Sequence, residues 1–351
     1  MVILGNISFP AISPLCEGDV PRPFWSVVIP VYNRTQYLPE CLNSVLTQCT
    51  GEEDMEIIVV DDCGTVPLAE LVQKLGQGRV RYHRLDRNYG LPDSWNQAIK
   101  LTRGYWTHLL HDDDYVLPGF YSILRQRLES CPDSVGAAFT GYENINEAGE
   151  ITFCQQVYGN HEGIAQDWLF YIGVGNSLSM PAVVVRRTTY EDLGGYHPDL
   201  VYTSDWEFYK RIACFYDWWY YPAILARYRE HSQSKTSELL ASGKQLFSIR
   251  QAIEFSEGYL PDDCRDSITA ESRCHYFQYC LLQMSKFLEN QDANGAFLIL
   301  QEALKIDSSP KSIDSLFHWL NQKEAFLLRQ EIALQLLNWN QLNEMMASFE
   351  D

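Results

Sequence analysis

Short apolar runs rich in β-branched residues recur through the first third of the chain, each stopping at a polar cluster. The run in "WSVVIPVYN" ends at Pro30, and Ile57 to Val60 in "MEIIVVDDCG" stops at two aspartates. Val80 to Leu85 and "YWTHLLHDDD" repeat the arrangement. Such runs, bounded by turn formers, predict buried strands. Between them the period changes. "TQYLPECLNSVLTQ" puts Leu38, Cys41, Leu42, Val45 and Leu46 on one helical face, with Thr35 placed to cap it. "PDSWNQAIKLTRG" predicts a second helix, opening at Asp93 or Ser94 and followed by Gly104. Alternating helices and apolar strands predict a parallel sheet in an α/β domain. Ligands of such sheets sit beyond the carboxyl ends of the strands. The loops Pro30–Arg34, Asp61–Gly64 and His111–Asp114 are therefore expected to gather on one edge.

Residues 130–235 are less regular, although "SLSMPAVVVRR" predicts a strand and "TSDWEFYKRIACF" an amphipathic helix. From about residue 240 the pattern is helical: "KQLFSIRQAIEF", "ESRCHYFQYCLLQMSKFLEN", "ANGAFLILQEALKI" and "KEAFLLRQEIALQLLNW" follow one another with short polar breaks. The first residues are punctuated by Pro10, Pro14, Pro21 and Pro23. The predicted organisation is an irregular arm over 1–24, an α/β domain over 25–238 and an α-helical region over 239–351.

Composition narrows the function. A chain of 351 residues with 46% hydrophobic side chains holds a sizeable core. A net charge of −19 disfavours nucleic acid and anionic membranes as partners. Ten cysteines without a CxxC pair read as reduced thiols of a cytoplasmic protein. No apolar stretch approaches the ~20 residues of a transmembrane helix, and the N-terminus lacks the basic flank of a signal peptide. Peripheral contact with a membrane is left open.

Several polar clusters carry chemistry. Asp112, Asp113 and Asp114 follow directly on a strand. A divalent cation shared with a phosphate would offset their repulsion, and a solvated acidic loop is the alternative. Asp61 and Asp62 are either acceptors for a base or ribose, or turn formers. Arg87 is either a phosphate contact or part of a plain loop before a helix. Asp205 lies at a helix start, as a cap or as a general base. His231 is either a metal ligand or an exposed loop histidine.

Taken in order, "VVIPVYNR", "VVDDCG", "DRNYGLPDSWNQA", "LLHDDDYVLPG", "LGGYHPDL…SDWEFYKRIA" and "RYREHSQS" resemble the successive motifs of family 2 glycosyltransferases, from about Ser26 to Ser234. The resemblance implies a GT-A fold with a mainly parallel central sheet. It implies inverting transfer of a sugar from a nucleoside diphosphate sugar, UDP-sugars favoured, to a saccharide, lipid-linked or other hydroxyl acceptor. It puts Pro30, Tyr32 and Asn33 at the donor's base, Asp61 and Asp62 at the base or ribose, and Arg87 and Asp112 on the donor side. Asp113 and His231 fall on the Mn²⁺ or Mg²⁺ site, and Asp205 on the general base. Three positions depart from the pattern: His111 replaces the first aspartate of the DxD, which leaves the register among Asp112, Asp113 and Asp114 open, Ser204 replaces an acid before Asp205, and Cys63 replaces a more usual small or polar residue. Two other functions compete. A sugar nucleotidyltransferase is disfavoured because "VYNRTQYLPECL" has no glycine and one basic residue. A non-catalytic module binding sugar nucleotides or proteins is the other.

Overall fold

The protein is described by a computed structural model covering residues 1–15, 21–155, 158–234, 236, 239, 244–322 and 325–335. The arm expected to be irregular opens with an antiparallel hairpin of β1 (Val2–Leu4) and β2 (Ile7–Phe9). The signal is the two-residue Gly5-Asn6 connection, where Gly5 takes φ 58°, a conformation few other residues adopt without strain. The prolines all follow the hairpin. Phe9 is fully buried and anchors it.

A ten-stranded sheet forms the centre. β3 (Trp25–Val31), β4 (Met55–Asp61), β5 (Val80–Arg84) and β6 (Trp106–Leu109) form its parallel half. β3 lies between β4 and β6, and β5 is the outer strand. Beyond β6 the sheet is mixed. It takes in β7 (Tyr115–Val116), β8 (Val135–Ile145), β9 (Ile151–Gln155), β10 (Gly163–Ile164), β11 (Val183–Arg186) and β12 (Asp217–Arg229). There β11 runs antiparallel to β6 and β8, while β12 runs parallel to β8.

Alternate residues of the apolar strands feed two cores, one on each face. Val27, Ile29, Ile57 and Val59 join α1 (Leu38–Leu46), α2 (Ala69–Gly76) and α4 (Phe120–Leu128). Val28, Ile58 and Val60 join α3 (Asp93–Lys100) on the other side. This two-sided burial is why the strands read as continuous apolar runs. α1 begins at Leu38, with Tyr37 rather than Thr35 before it and no side-chain cap. Pro39 in its first turn sets the start instead. Gly104 is required for packing, because a Cβ there would lie 2.6 Å from the Ser26 nitrogen on β3.

The α3 face of the sheet is thicker. It also takes in α5 (Trp168–Val174), α6 (Arg187–Leu193) and α7 (Ser204–Phe215), then α8 (Lys244–Glu257), α9 (Arg265–Glu289), α10 (Ala293–Ile306) and α11 (Pro310–Leu320). One continuous apolar cluster runs from Val28 and Trp95 through Trp206 and Phe208 to Phe277 and Ile299. The last predicted helical stretch, "KEAFLLRQEIALQLLNW", lies partly outside the described residues. Among those described, no helix is long and apolar enough to cross a membrane, and the cysteines are free thiols.

Candidate active site

Register brings the expected loops together. Val31 at the end of β3 pairs with Asp61 at the end of β4, and Asp61 pairs with Arg84. On the other side Val28 pairs with Leu109 of β6, directly before the acidic run. Arg34 closes the gap: it lies 2.7 Å from Asp112 Oδ1, 2.8 Å from Asp113 Oδ2 and 3.1 Å from His231 Nε2.

Several of the motif residues hold loops in place. Asn33 takes φ 60°, and its Oδ1 accepts from the Thr65 and Val66 amides at 2.6 and 3.2 Å. This locks the β3 loop onto the loop after β4. Asp61 is fully buried and accepts from the Gly64 amide at 2.8 Å, and from Tyr82 Oη and Arg84 Nη1 at 2.6 Å each. Both of its oxygens are thereby engaged. Asp62 accepts from the Tyr89 and Gly90 amides at 2.8 and 2.9 Å. Burial raises its pKa, and the two backbone bonds only partly oppose this. Pro30 is buried within β3. Tyr32 is exposed, and Arg87 is exposed with its guanidinium stacked 4.7 Å from the Tyr89 ring. Asn96 of α3, within the same run of motifs, exchanges two hydrogen bonds of 2.8 Å with the backbone of Tyr196.

The three aspartates are all buried. Burial pushes the carboxyls of Asp112 and Asp114 up, and the charge of Asp113 pushes both the same way. Asp113 is shifted oppositely: burial would raise it, but the hydrogen bond to His231 and the charge of Arg34 outweigh that and hold it ionised. His231 Nε2 is 2.9 Å from Asp113 Oδ2. Asp114 Oδ1 accepts from the Arg229 amide at 2.9 Å, while its Oδ2 is buried without a hydrogen-bond partner. His111 Nε2 is also buried and unpartnered, and the ring packs on Trp95 at 5.0 Å. Burial lowers the His111 pKa, which favours the neutral imidazole.

One donor atom each from His111, Asp113 and Asp114 lies within 4.8 Å of the others. Orphaned buried donors, two carboxylates and a neutral imidazole fit a divalent cation that accepts nitrogen as well as oxygen, such as Mn²⁺. His111, a departure from the DxD pattern, thus stands among the candidate ligands.

Asp205 sits in the first turn of α7, partly exposed. The helix's preceding residue is Thr203, with no side-chain cap. Asp205 Oδ1 accepts from the adjacent Trp206 amide at 2.7 Å, and Oδ2 from Asn176 Nδ2 at 3.4 Å. Desolvation by the packed protein around it raises its pKa to about 6, against those two bonds. Tyr228 on β12 donates its hydroxyl to Thr236 Oγ1 at 3.4 Å. Burial raises the pKa of that hydroxyl, the bond to Thr236 opposes this, and the negative charges of Asp114, Asp113 and Asp205 add to the rise.

Arg34, Asn176 and Tyr228 were not singled out from the sequence. Only Arg34 had a signal there, as the one basic residue of its loop. Among the aromatics of the stretch between β9 and β11, Trp168 is core, stacked 4.4 Å from Phe139. Tyr171 is exposed and lines a cavity of about 590 Å³ with Asp167, Phe170 and Val174.

Residues 26–162 match the profile of Glycosyl transferase family 2. The chain is 33% identical over 94 residues to the poly(ribitol-phosphate) β-N-acetylglucosaminyltransferase TarS of Staphylococcus aureus (strain Mu50 / ATCC 700699), a stretch covering 26% of this chain and 16% of that enzyme. Over residues 26–162 the chain is thus similar to glycosyltransferase family 2. An uncharacterised protein of Mycobacterium tuberculosis (strain CDC 1551 / Oshkosh) is 29% identical over 246 residues, 66% of this chain and 75% of that one. The crystal structure of S. aureus TarS 1-349 in complex with UDP-GlcNAc aligns with 87% of this chain and 89% of that one, at a TM-score of 0.60 and 18% identity. This likeness establishes a GT-A-like fold.

Proposed function

We propose that the protein transfers a sugar from a nucleoside diphosphate sugar to an acceptor hydroxyl, in one displacement with inversion and with divalent-metal assistance. The observation that carries this reading is the presence of two unlike acidic sites: a His111, Asp113 and Asp114 cluster with donor atoms within 4.8 Å of one another, and a separate carboxylate, Asp205, with its pKa raised to about 6. A base tuned toward neutrality can be ionised at working pH and still accept a proton. The bound UDP-GlcNAc of the TarS structure belongs to that enzyme, and it makes UDP-sugars the first donors to try.

In this reading Asp205 accepts the proton of the attacking hydroxyl, and Asn176 keeps its Oδ2 oriented. His111, Asp113 and Asp114 would hold a Mn²⁺ or Mg²⁺, with His231 fixing the Asp113 carboxylate. When bound, the cation would offset the charge of the donor's diphosphate and of the leaving nucleoside diphosphate. Asp112 lies on the donor side. Asp61, Asp62 and Asn33 shape the nucleotide loops through the hydrogen bonds above, leaving Tyr32 and Arg87 as the exposed side chains for base and phosphate. The proposed division is an arm over 1–24, a transfer domain over 25–238 and a helical region over 239–351.

The test is release of UDP from a panel of UDP-sugars by purified protein with Mn²⁺, with and without saccharide or lipid-linked acceptors. NMR of the product reads the anomeric configuration. Retained configuration refutes the single displacement. Pyrophosphate released from a nucleoside triphosphate, with no UDP from any donor, refutes the donor class.

A further inference from the structure

We infer that Arg34 is the resident counter-ion of the acidic cluster, and that a divalent cation and the donor's diphosphate enter by displacing it together. The inference rests on the metal-assisted reading above. The Arg34 guanidinium bridges Asp112 Oδ1 at 2.7 Å and Asp113 Oδ2 at 2.8 Å, and lies 3.1 Å from His231 Nε2. It therefore uses the Asp113 oxygen that also faces His231 at 2.9 Å. A cation bound through Asp113 would face a second positive charge across one carboxylate, in surroundings that screen poorly. One of the two has to leave.

The second arginine of the cluster is fixed differently. Arg229 is buried, and its Nε and Nη1 donate to the backbone oxygens of Asp113, Asn146 and Glu147. It buttresses the loop without engaging the Asp113 carboxylate. Arg34 stands on the loop between β3 and α1, its side chain is 31% exposed, and among the described residues its side-chain hydrogen bonds go to cluster side chains. It can turn outward without breaking the fold's backbone bonds.

Displacement into water alone would cost Arg34 its carboxylate partners. A diphosphate at the same sheet edge offers replacement oxygens in the forked geometry a guanidinium favours. Cation and nucleotide should consequently bind with positive coupling, and Arg34 should be the source of that coupling.

The test measures Mn²⁺ binding from the EPR signal of free Mn²⁺, with and without UDP, for wild type, Arg34→Met and Arg34→Lys. UDP should tighten Mn²⁺ binding to wild type by about tenfold. Arg34→Met should bind Mn²⁺ alone roughly fivefold more tightly than wild type, with most of the UDP effect gone. Arg34→Lys keeps a positive charge for the buried carboxylates but not the fork, and should fall between. It carries the comparison should Arg34→Met fail to fold, which melting curves report. Wild type binding Mn²⁺ while neither folded variant binds it more tightly overturns the displacement and leaves the metal reading standing. Absence of Mn²⁺ binding to wild type even with UDP overturns both.

Discussion

Asn176 donates its side-chain N–H to Asp205 Oδ2 at 3.4 Å, from an amide whose own oxygen accepts the Leu178 backbone N–H at 3.1 Å. The amide cannot flip without losing the second bond, so a donor is always presented to the carboxylate. That bond favours the ionised form, while desolvation opposes it and leaves the Asp205 pKa at about 6.

The pH profile follows with a definite sign. A base with a raised pKa is lost as pH falls, so kcat/KM should drop about tenfold per unit below roughly pH 6. Asn176→Ala removes support for the charged form and should move that limb to higher pH. Asp205→Asn should lower kcat by about 10²–10⁴-fold with UDP binding retained. It should also raise the melting temperature at pH 8, because a folded-state pKa above the unfolded one stabilises at low pH and that contribution is gone at pH 8. An active Asp205→Asn enzyme removes the residue from the chemistry.

Chelation should separate the acidic cluster from the fold. EDTA should abolish UDP release, and Mn²⁺ should restore it. Asp113→Asn should bring roughly a hundredfold loss that added Mn²⁺ does not repair. Undiminished turnover in EDTA excludes a dissociable metal.

Asn96 predicts a stability effect. Among the described residues its side chain satisfies both the N–H and the C=O of Tyr196 at a buried position. Asn96→Ala leaves both groups unpaired and should cost about 2–4 kcal/mol in urea unfolding. A loss below half a kcal/mol would mean that the Tyr196 backbone finds other partners.

Lys210 gives a pH dependence of the fold itself. It is fully buried on α7, donating to Ala252 O at 2.7 Å and Ser256 Oγ at 3.0 Å of α8. Burial lowers its pKa from 10.5 to about 7. Between those values the unfolded chain binds the extra proton, so stability should rise with pH from about 7 to 10.5. Lys210→Met should flatten that slope, as read by urea midpoints across the range.

The parallel half of the sheet was legible because β3, β4 and β6 are buried on both faces, and their apolar runs end where the chain turns into polar loops. The gathering of those loops followed from strand direction alone. Less legible was what each acid does there. Asp61 and Asp62 read as ligand contacts or as turn formers, and the structure engages them with Tyr82, Arg84 and the Tyr89 and Gly90 amides. Nothing in the sequence tells an acid facing a cleft from one facing a loop amide. Asn176 was invisible for a related reason: it reaches Asp205 across 29 residues from a segment without clear period.

One contact sets how much chain the chemistry requires. The Tyr276 hydroxyl of α9 accepts the Asn176 backbone N–H at 3.2 Å, and its ring lies 4.9 Å from that of Trp206, next to Asp205. A fragment ending after Ser234 would keep every recognisable motif yet lose the strut behind its proton acceptor. The smallest competent enzyme is thus longer than the stretch its signature residues delimit.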